Sequence, residues 1–494
     1  MGPIFQFAIP VAMIGILQQM FNTADIMVLG RFVGTEALAA VGNNAPVIGV
    51  LVNLFLGISL GANVLIARKL GGGRLKEASE AIHTTVLMAG LTGLFILVVG
   101  EIFAGPLMGW MGVPLEVREA SELYLRVYLL GMPGMTLYDF LSAIYRSHGN
   151  VRTPLLSLVT ASIVNIAGNL LAVFLGFGLA GVVTVTAIAN YISSGLLLRL
   201  LRYEHGVLHF YPGAIRVRME DIKEILRVGV PAGIQGMVFN FSNLVIQSAI
   251  NSEGSLAMAA SAAAYVLEIN TYPFINAFGQ AVTTFTSQNF GAGNIKRCLN
   301  VVKKGLTLNF GFTCFLTVLV FLAARPFLEV FGLEPDAMEL GMMRVHIIIG
   351  FYFLSSIYES LAASMRGFGN SLAPALGMLV SIVGTRMLWL ATVYEADPTF
   401  RNIMWCYPLS WFAADVLIGG LFVREMAYQR RTRLTVGDRV KGCQAVLFGQ
   451  GPNGFLAAKD AAIKPKDLEG KDRETGAKFV VKDTFSVVQK RFLW

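Results

Sequence analysis

Charge is what this sequence has little of. Only 14% of its 494 residues are Asp, Glu, Lys or Arg, against about 25% in soluble domains. So few charges cannot clothe a globular surface of this size, which excludes an ordinary soluble protein and a disordered one. Cysteine is scarce as well: Cys298, Cys314, Cys406 and Cys443 show no CxxC spacing, so neither a zinc site nor a disulfide framework is expected. The chain has no Gly-x-x-x-x-Gly-Lys-[Ser/Thr] phosphate loop, no HExxH and no GxSxG, which removes the usual marks of ATP hydrolysis, zinc peptidase chemistry and a nucleophile elbow. No catalytic residue, metal or cofactor is expected.

What is abundant is apolar. Hydrophobic residues make up 55% of the chain, and segments of the roughly 20 apolar residues that cross a bilayer follow one another from near the start to about residue 426. Twelve spans are read, at 4–30, 37–67, 82–105, 122–145, 153–176, 179–201, 223–250, 256–287, 299–323, 337–364, 373–395 and 402–426. The first lacks a basic n-region and a small-residue cleavage site and carries Gln18, Gln19 and Asp25, so it is expected to stay in the mature protein.

Lys and Arg gather in the even-numbered loops and the start of the tail, from Arg68, Lys69, Arg74 and Lys76 through Arg146, Arg152 and Arg366 to Arg430, Arg431 and Arg433. The odd-numbered loops hold Arg31, Arg118, Arg325, Arg344 and Arg401. By the positive-inside rule both termini face the cytoplasm. The net charge of +8 then records orientation, and a nucleic-acid partner is not expected.

The chain also repeats itself at a shift near 220 residues. Gly71-Gly72-Gly73 falls on Gly291-Ala292-Gly293, Arg146-Ser147-His148-Gly149-Asn150 on Arg366-Gly367-Phe368-Gly369-Asn370, and Pro154 on Pro374. Asp139 meets Glu359, and Pro10 meets Pro231 one residue off. The expected architecture is all-α, with two parallel six-helix halves: residues 1–201, a cytoplasmic linker 202–222, residues 223–430, and a hydrophilic tail 431–494. Parallel repeats of this kind belong to transporters that rock one half against the other around a midplane site. In the linker, His205 and His209 share an i, i+4 spacing, but Gly206, the nearby Pro212-Gly213 and the want of a third ligand favour a solvated joint.

An ionisable group inside the hydrocarbon layer costs at least a few kcal/mol, so the intramembrane charges Asp25, Asp139, Glu268, Glu359, Arg386 and Asp415 are the functional candidates. Asp25, with Gln18 and Asn22 one or two turns before it, could bind H⁺ or Na⁺, or could simply pair with Arg31. Asn165 and Asn169 share a helix face and could ligate a cation with Asp25 or join helices by hydrogen bonds. Glu268 and Glu359 would mark a second-half site with Arg386 as their counter-ion. Gln18, Asn22, Asp139 and Arg386 are the candidate cleft residues. Pro10 and Pro231 could bend the opening helices of the halves.

These residues resemble the multidrug and toxic compound extrusion (MATE) family. The resemblance is carried by Phe21-Asn22-Thr23-Ala24-Asp25, Gly30-Arg31-Phe32-Val33-Gly34, Ala37-Leu38-Ala39-Ala40-Val41-Gly42, Thr284 to Gly293, Arg366-Gly367-Phe368-Gly369-Asn370 and Tyr407-Pro408-Leu409-Ser410-Trp411. It covers about residues 3–430. It implies twelve helices in two bundles around a V-shaped cleft, and export of cationic or amphipathic compounds in exchange for Na⁺ or H⁺. Asp25 matches the family's cation-coupling carboxylate and Asn165 the helix-5 asparagine beside it. Asn169 stands where DinF-type members carry an aspartate, and Met237 to Asn240 lacks the helix-7 glutamate of NorM-type members. Glu268 and Glu359 look like the acids of a subgroup with a differently arranged second-half site.

The expected protein is a multi-pass monomer of the cell inner membrane whose partners are small amphipathic or cationic substrates and the lipid bilayer. Two alternatives stand beside it. A flippase for a lipid-linked precursor would need a strongly cationic cavity, whereas Arg386 reads as the one basic residue deep in a helix. A membrane enzyme would need a convergent catalytic cluster, and the five histidines are scattered.

Overall fold

The structure, a computed structural model, describes residues 1–444 and two short strands beyond them, Glu469–Lys471 and Lys478–Val480, which pair antiparallel. The rest of the expected hydrophilic tail lies outside the described residues. The chain forms two compact units, Met1–Phe422 and Val423–Trp494.

Among the described residues, twelve long helices carry the fold. They are α1 (Gly2–Phe32), α2 (Thr35–Gly71), α3 (Leu75–Trp110), α4 (Leu115–Ser147), α5 (Arg152–Phe174) and α6 (Gly178–Tyr203). After a joint with two short 3₁₀ turns come α7 (Met219–Ser252), α8 (Ser255–Gly291), α9 (Ile295–Glu329), α10 (Pro335–Gly367), α11 (Leu372–Tyr394) and α12 (Phe400–Gln444). At 1.5 Å per residue even α5, with 23 residues, is long enough for a hydrocarbon core of about 30 Å. The helices run through Pro10 and Pro231, as spanning helices do where neighbouring groups take up the freed backbone.

Ten of the twelve are apolar enough to cross a membrane by length and composition; α7 and α8 fall short. Their deficit has a physical cause: α7 carries Gln235, Asn240, Asn243 and Gln247, and α8 carries Glu268, Asn276, Gln280 and Thr283, all facing an internal cavity. Polar groups that face a cavity escape the cost of lipid contact, so these two helices fit among the apolar ten.

The 220-residue repeat is visible in atomic contacts. Asn63 donates to the Ala143 carbonyl at 3.2 Å and, one repeat later, Thr283 donates to the Ala363 carbonyl at 2.9 Å. Where the halves meet, a Cβ on Gly71 would collide with the backbone of Gln288, and a Cβ on Gly291 with the backbone of Arg68. Positions 68 and 71 become 288 and 291 under the shift, so each glycine meets the other's partner, as a pseudo-two-fold axis requires.

The halves close on each other at the end that bears the basic loops. On α2, Gly57 and Gly61 lie against α7 at Gly233, Ile225 and Gly229, with the backbones too near for side chains. Small residues permit this approach, as in spanning helix pairs generally. Ion pairs fix the same end: Lys69 to Asp221 at 2.6 Å and Arg68 to Glu224 at 2.5 Å.

Candidate functional site

Asp25 lies in α1 with its carboxylate turned into the first half. Its Oδ1 accepts from Asn169 Nδ2 at 2.5 Å and its Oδ2 from Thr186 Oγ1 at 2.7 Å. Asn165 completes the cluster, accepting from Asn169 at 3.3 Å and donating to Thr186 at 3.0 Å. The i, i+4 spacing on α5 therefore does place both amides on the face that meets Asp25. Asn165 and Asn169 are fully buried and Asp25 nearly so. Among the described residues no cation pairs with this carboxylate, so pairing with Arg31, one of the two readings open from sequence, is not what the structure holds. The Oδ1 of Asn169 is buried and accepts no hydrogen bond. The cluster thus presents a carboxylate and a free amide oxygen with only neutral donors around them.

Between the halves lies a cavity of about 870 Å³, within the roughly 300–1,000 Å³ of small-molecule sites. Its wall includes Gln18, Gln19, Tyr272, Phe239, Tyr407 and Trp411 together with seven charged side chains: Arg146, Arg344, Arg366, Arg386, Asp139, Glu268 and Glu359. Glu268 is held by Arg344 in a two-pronged pair at 2.6 and 2.9 Å, and Arg344 also donates to Ser261. Glu359 pairs with Arg366 two turns further along the same helix. Asp139 and Arg146, their counterparts in the first half, act on each other electrostatically without closing to an ion pair.

Several expectations are corrected here. Arg386 is not the counter-ion of Glu268 or Glu359; those roles fall to Arg344 and Arg366. Arg344 is no loop residue, since it sits 3% exposed within α10, and Arg146 and Arg366 turn inward from their helix ends to the cavity. The cavity therefore holds four arginines rather than one, although three of them face carboxylates. Gln18, Asp139 and Arg386 do line it; Asn22 is exposed and does not. Asp25, Asn165 and Asn169 form their own cluster away from the cavity wall, and Asp415 lies outside that wall too, with one buried carboxylate oxygen unpartnered. His205 and His209 are exposed in the joint, and the described residues contain no group of His, Cys, Asp and Glu that could hold a metal ion.

Thr186 and Arg344 were not singled out from sequence. Thr186 gave little signal, being one hydroxyl in an apolar helix. Arg344 gave a clear one, a cation nine residues past the start of a spanning helix.

The MatE family profile matches residues 10–171 and 231–390. The chain is 28% identical over 442 residues to the probable multidrug resistance protein YoeA of Bacillus subtilis, spanning 87% of this chain and 94% of YoeA. It is 26% identical over 391 residues to the probable multidrug resistance protein NorM of Thermotoga maritima, spanning 78% and 83%. In fold it is similar to a multidrug resistance MATE family transporter in an outward-facing conformation, with TM-score 0.80, 20% identity and coverage of 87% of this chain and 96% of that chain. It is equally similar to a MATE structure in a bent conformation, with TM-score 0.79, 20% identity and the same coverage.

Proposed function

This chain belongs to the MatE family, and from that membership we propose that it is a secondary antiporter that exports organic cations and other amphipathic drugs in exchange for H⁺ or Na⁺. The observation that supports this reading most is Asp25. A carboxylate withdrawn from water, with neutral hydrogen-bond donors and no counter-charge, favours taking up a cation. The oxygens of Asn165 and Asn169 stand beside it for ligation by Na⁺, and the carboxylate alone suffices for H⁺. Drug and coupling ion would occupy separate places, the cavity and the Asp25 cluster, which lets one be released while the other binds.

In this reading the basic loops and both termini face the cytoplasm of a multi-pass inner-membrane protein acting as a monomer. The end closed by α2 and α7 is then the cytoplasmic one. A flippase for a lipid-linked pyrophosphate is less well supported, because three of the four cavity arginines already face acids and one cation remains for two phosphates.

Reconstitution into liposomes tests the proposal. Ethidium or norfloxacin movement should follow an imposed Na⁺ or H⁺ gradient in the wild type and lose that dependence in Asp25→Asn. Equal gradient dependence in both proteins would sink the coupling role.

A further inference from the structure

Arg386 is the cavity's unanswered charge. It is 2% exposed, and among the described residues it forms no ion pair. Its Nε donates to Ser410 Oγ at 3.2 Å and its Nη1 to Asn243 Oδ1 at 2.9 Å, with Ser242 at 3.5 Å. The guanidinium carbon lies 4.5 Å from the centroid of the Tyr407 ring. All these partners are neutral, so they aim the guanidinium without discharging it, and among the described residues Nη2 has no acceptor. A buried, uncompensated guanidinium is unfavourable until an anion reaches it.

Two further observations set Arg386 apart. The short α-helical turn that carries it, Thr385–Trp389, is flanked on both sides by π-helical stretches, Leu379–Gly384 and Leu390–Tyr394; widened turns of this kind are common at functional sites. The repeat also fails here. Asp139 and Arg146 recur as Glu359 and Arg366, but the position 220 residues before Arg386 is Ile166. Counted as ionised, the cavity wall has four arginines against three carboxylates, an excess of one positive charge.

We propose that Arg386 receives the carboxylate of the transported molecule, so that the cavity selects amphipathic carboxylates, zwitterionic or anionic, over uncharged esters of the same shape. One free Nη2 and one excess charge match a single carboxylate rather than a doubly charged phosphate. Tyr407, Trp411 and Phe239 supply apolar and aromatic surface for the rest of the molecule. A zwitterion satisfies both this subsite and the export of cationic drugs. The inference rests on the proposed function only in taking the cavity as the substrate's place.

Equilibrium binding to the purified full-length protein in detergent, with no ion gradient, tests it. The probes are norfloxacin with its methyl ester and cholate with its methyl ester. Wild type is expected to bind at least one acid about tenfold more tightly than its ester, the scale of one charge-assisted hydrogen bond. In Arg386→Gln the acid-to-ester ratio should fall to near one, and in Arg386→Lys it should fall only in part. A wild-type ratio near one for both pairs, or no binding of either acid, overturns the proposal whether or not the variants fold. So does a ratio that survives Arg386→Gln; if that variant does not fold, an undiminished ratio in Arg386→Lys overturns the role of the planar guanidinium. A protein that passes this test yet shows no gradient-driven exchange in liposomes overturns the antiport reading and leaves the subsite standing.

Discussion

Lys69 of α2 and Asp221 of α7 form a buried ion pair across the two halves, Nζ to Oδ1 at 2.6 Å, with 6% and 4% of their side chains exposed. Around it lie Arg218, 3.8 Å from the other Asp221 oxygen, and Arg68, which pairs with Glu224 and stacks over the Phe290 ring. Transport by rocking halves requires this end to open. In the proposed cycle the pair would act as a latch, its strength setting how long the closed state lasts.

Asp221→Asn should loosen that latch. The substitution leaves Lys69 as a buried charge without its carboxylate, a penalty of about 3–5 kcal/mol against the closed state. Spin labels at the exposed positions 74 and 296, one in each half, should show longer and broader distances than in the wild type. Exchanging the two residues, Lys69→Asp with Asp221→Lys, should bring the short distance back. An unchanged distribution in Asp221→Asn would show that the pair does not control opening.

The glycines of the same seam act by exclusion. A Cβ on Gly57 would strike the backbone at Gly233, and one on Gly229 would strike Ile58. Backbone cannot step aside as a side-chain end can, so Gly57→Leu should hold α2 and α7 apart and trap the chain open at the basic end. Solvent-accessible thiol labelling of a cysteine placed at Ile58, slow in the wild type because that position is buried, should become fast. Transport should stop while the helical content by circular dichroism stays.

Asn169→Asp should strengthen cation uptake at the Asp25 cluster. It would place a second carboxylate within hydrogen-bond distance of the first, at the site now occupied by the 2.5 Å contact, and two like charges so close cannot both stay ionised without a cation. The concentration of coupling ion giving half-maximal exchange in liposomes should fall on the order of tenfold. A rise would mean that the amide donor, rather than the oxygens, is what the site needs at position 169.

Much of this organisation was legible in the sequence. Spans, repeat and the Asp25 cluster follow from patterns with a fixed period: apolar runs of spanning length, a constant shift of 220, and Asn165 and Asn169 at i, i+4. Pairings between helices far apart in sequence were not legible, because hydropathy says that a charge is inside and not which acid it meets. Glu268 could have met Arg386 or Arg344, 76 residues away, and only the packing of α8 against α10 decides for Arg344. The same blindness hid the role of Thr186, whose hydroxyl gains meaning from the crossing of α6 with α1. Arg146 and Arg366 were misread because a helix end near a basic loop looks alike whether its side chain turns outward or into the cavity.

The asymmetry between the halves separates structural charges from those with a special task, and Glu268 is the informative case. Its first-half counterpart is Ile48 and that of Arg344 is Tyr124, so this ion pair is no inheritance of the repeat. If the pair serves mainly to hold α8 to α10, then Glu268→Gln, which strands Arg344 at 3% exposure, should lower stability by about 3–5 kcal/mol, and Glu268→Leu with Arg344→Met should recover most of the loss, because apolar replacement of a buried pair is often neutral. Thermal unfolding in detergent reads both. If Glu268 instead takes up the coupling ion during the cycle, the double variant would unfold like the wild type and still lose the ion dependence of transport. Recovery of stability and gradient-driven exchange together assigns Glu268 and Arg344 to the scaffold and leaves ion coupling with Asp25.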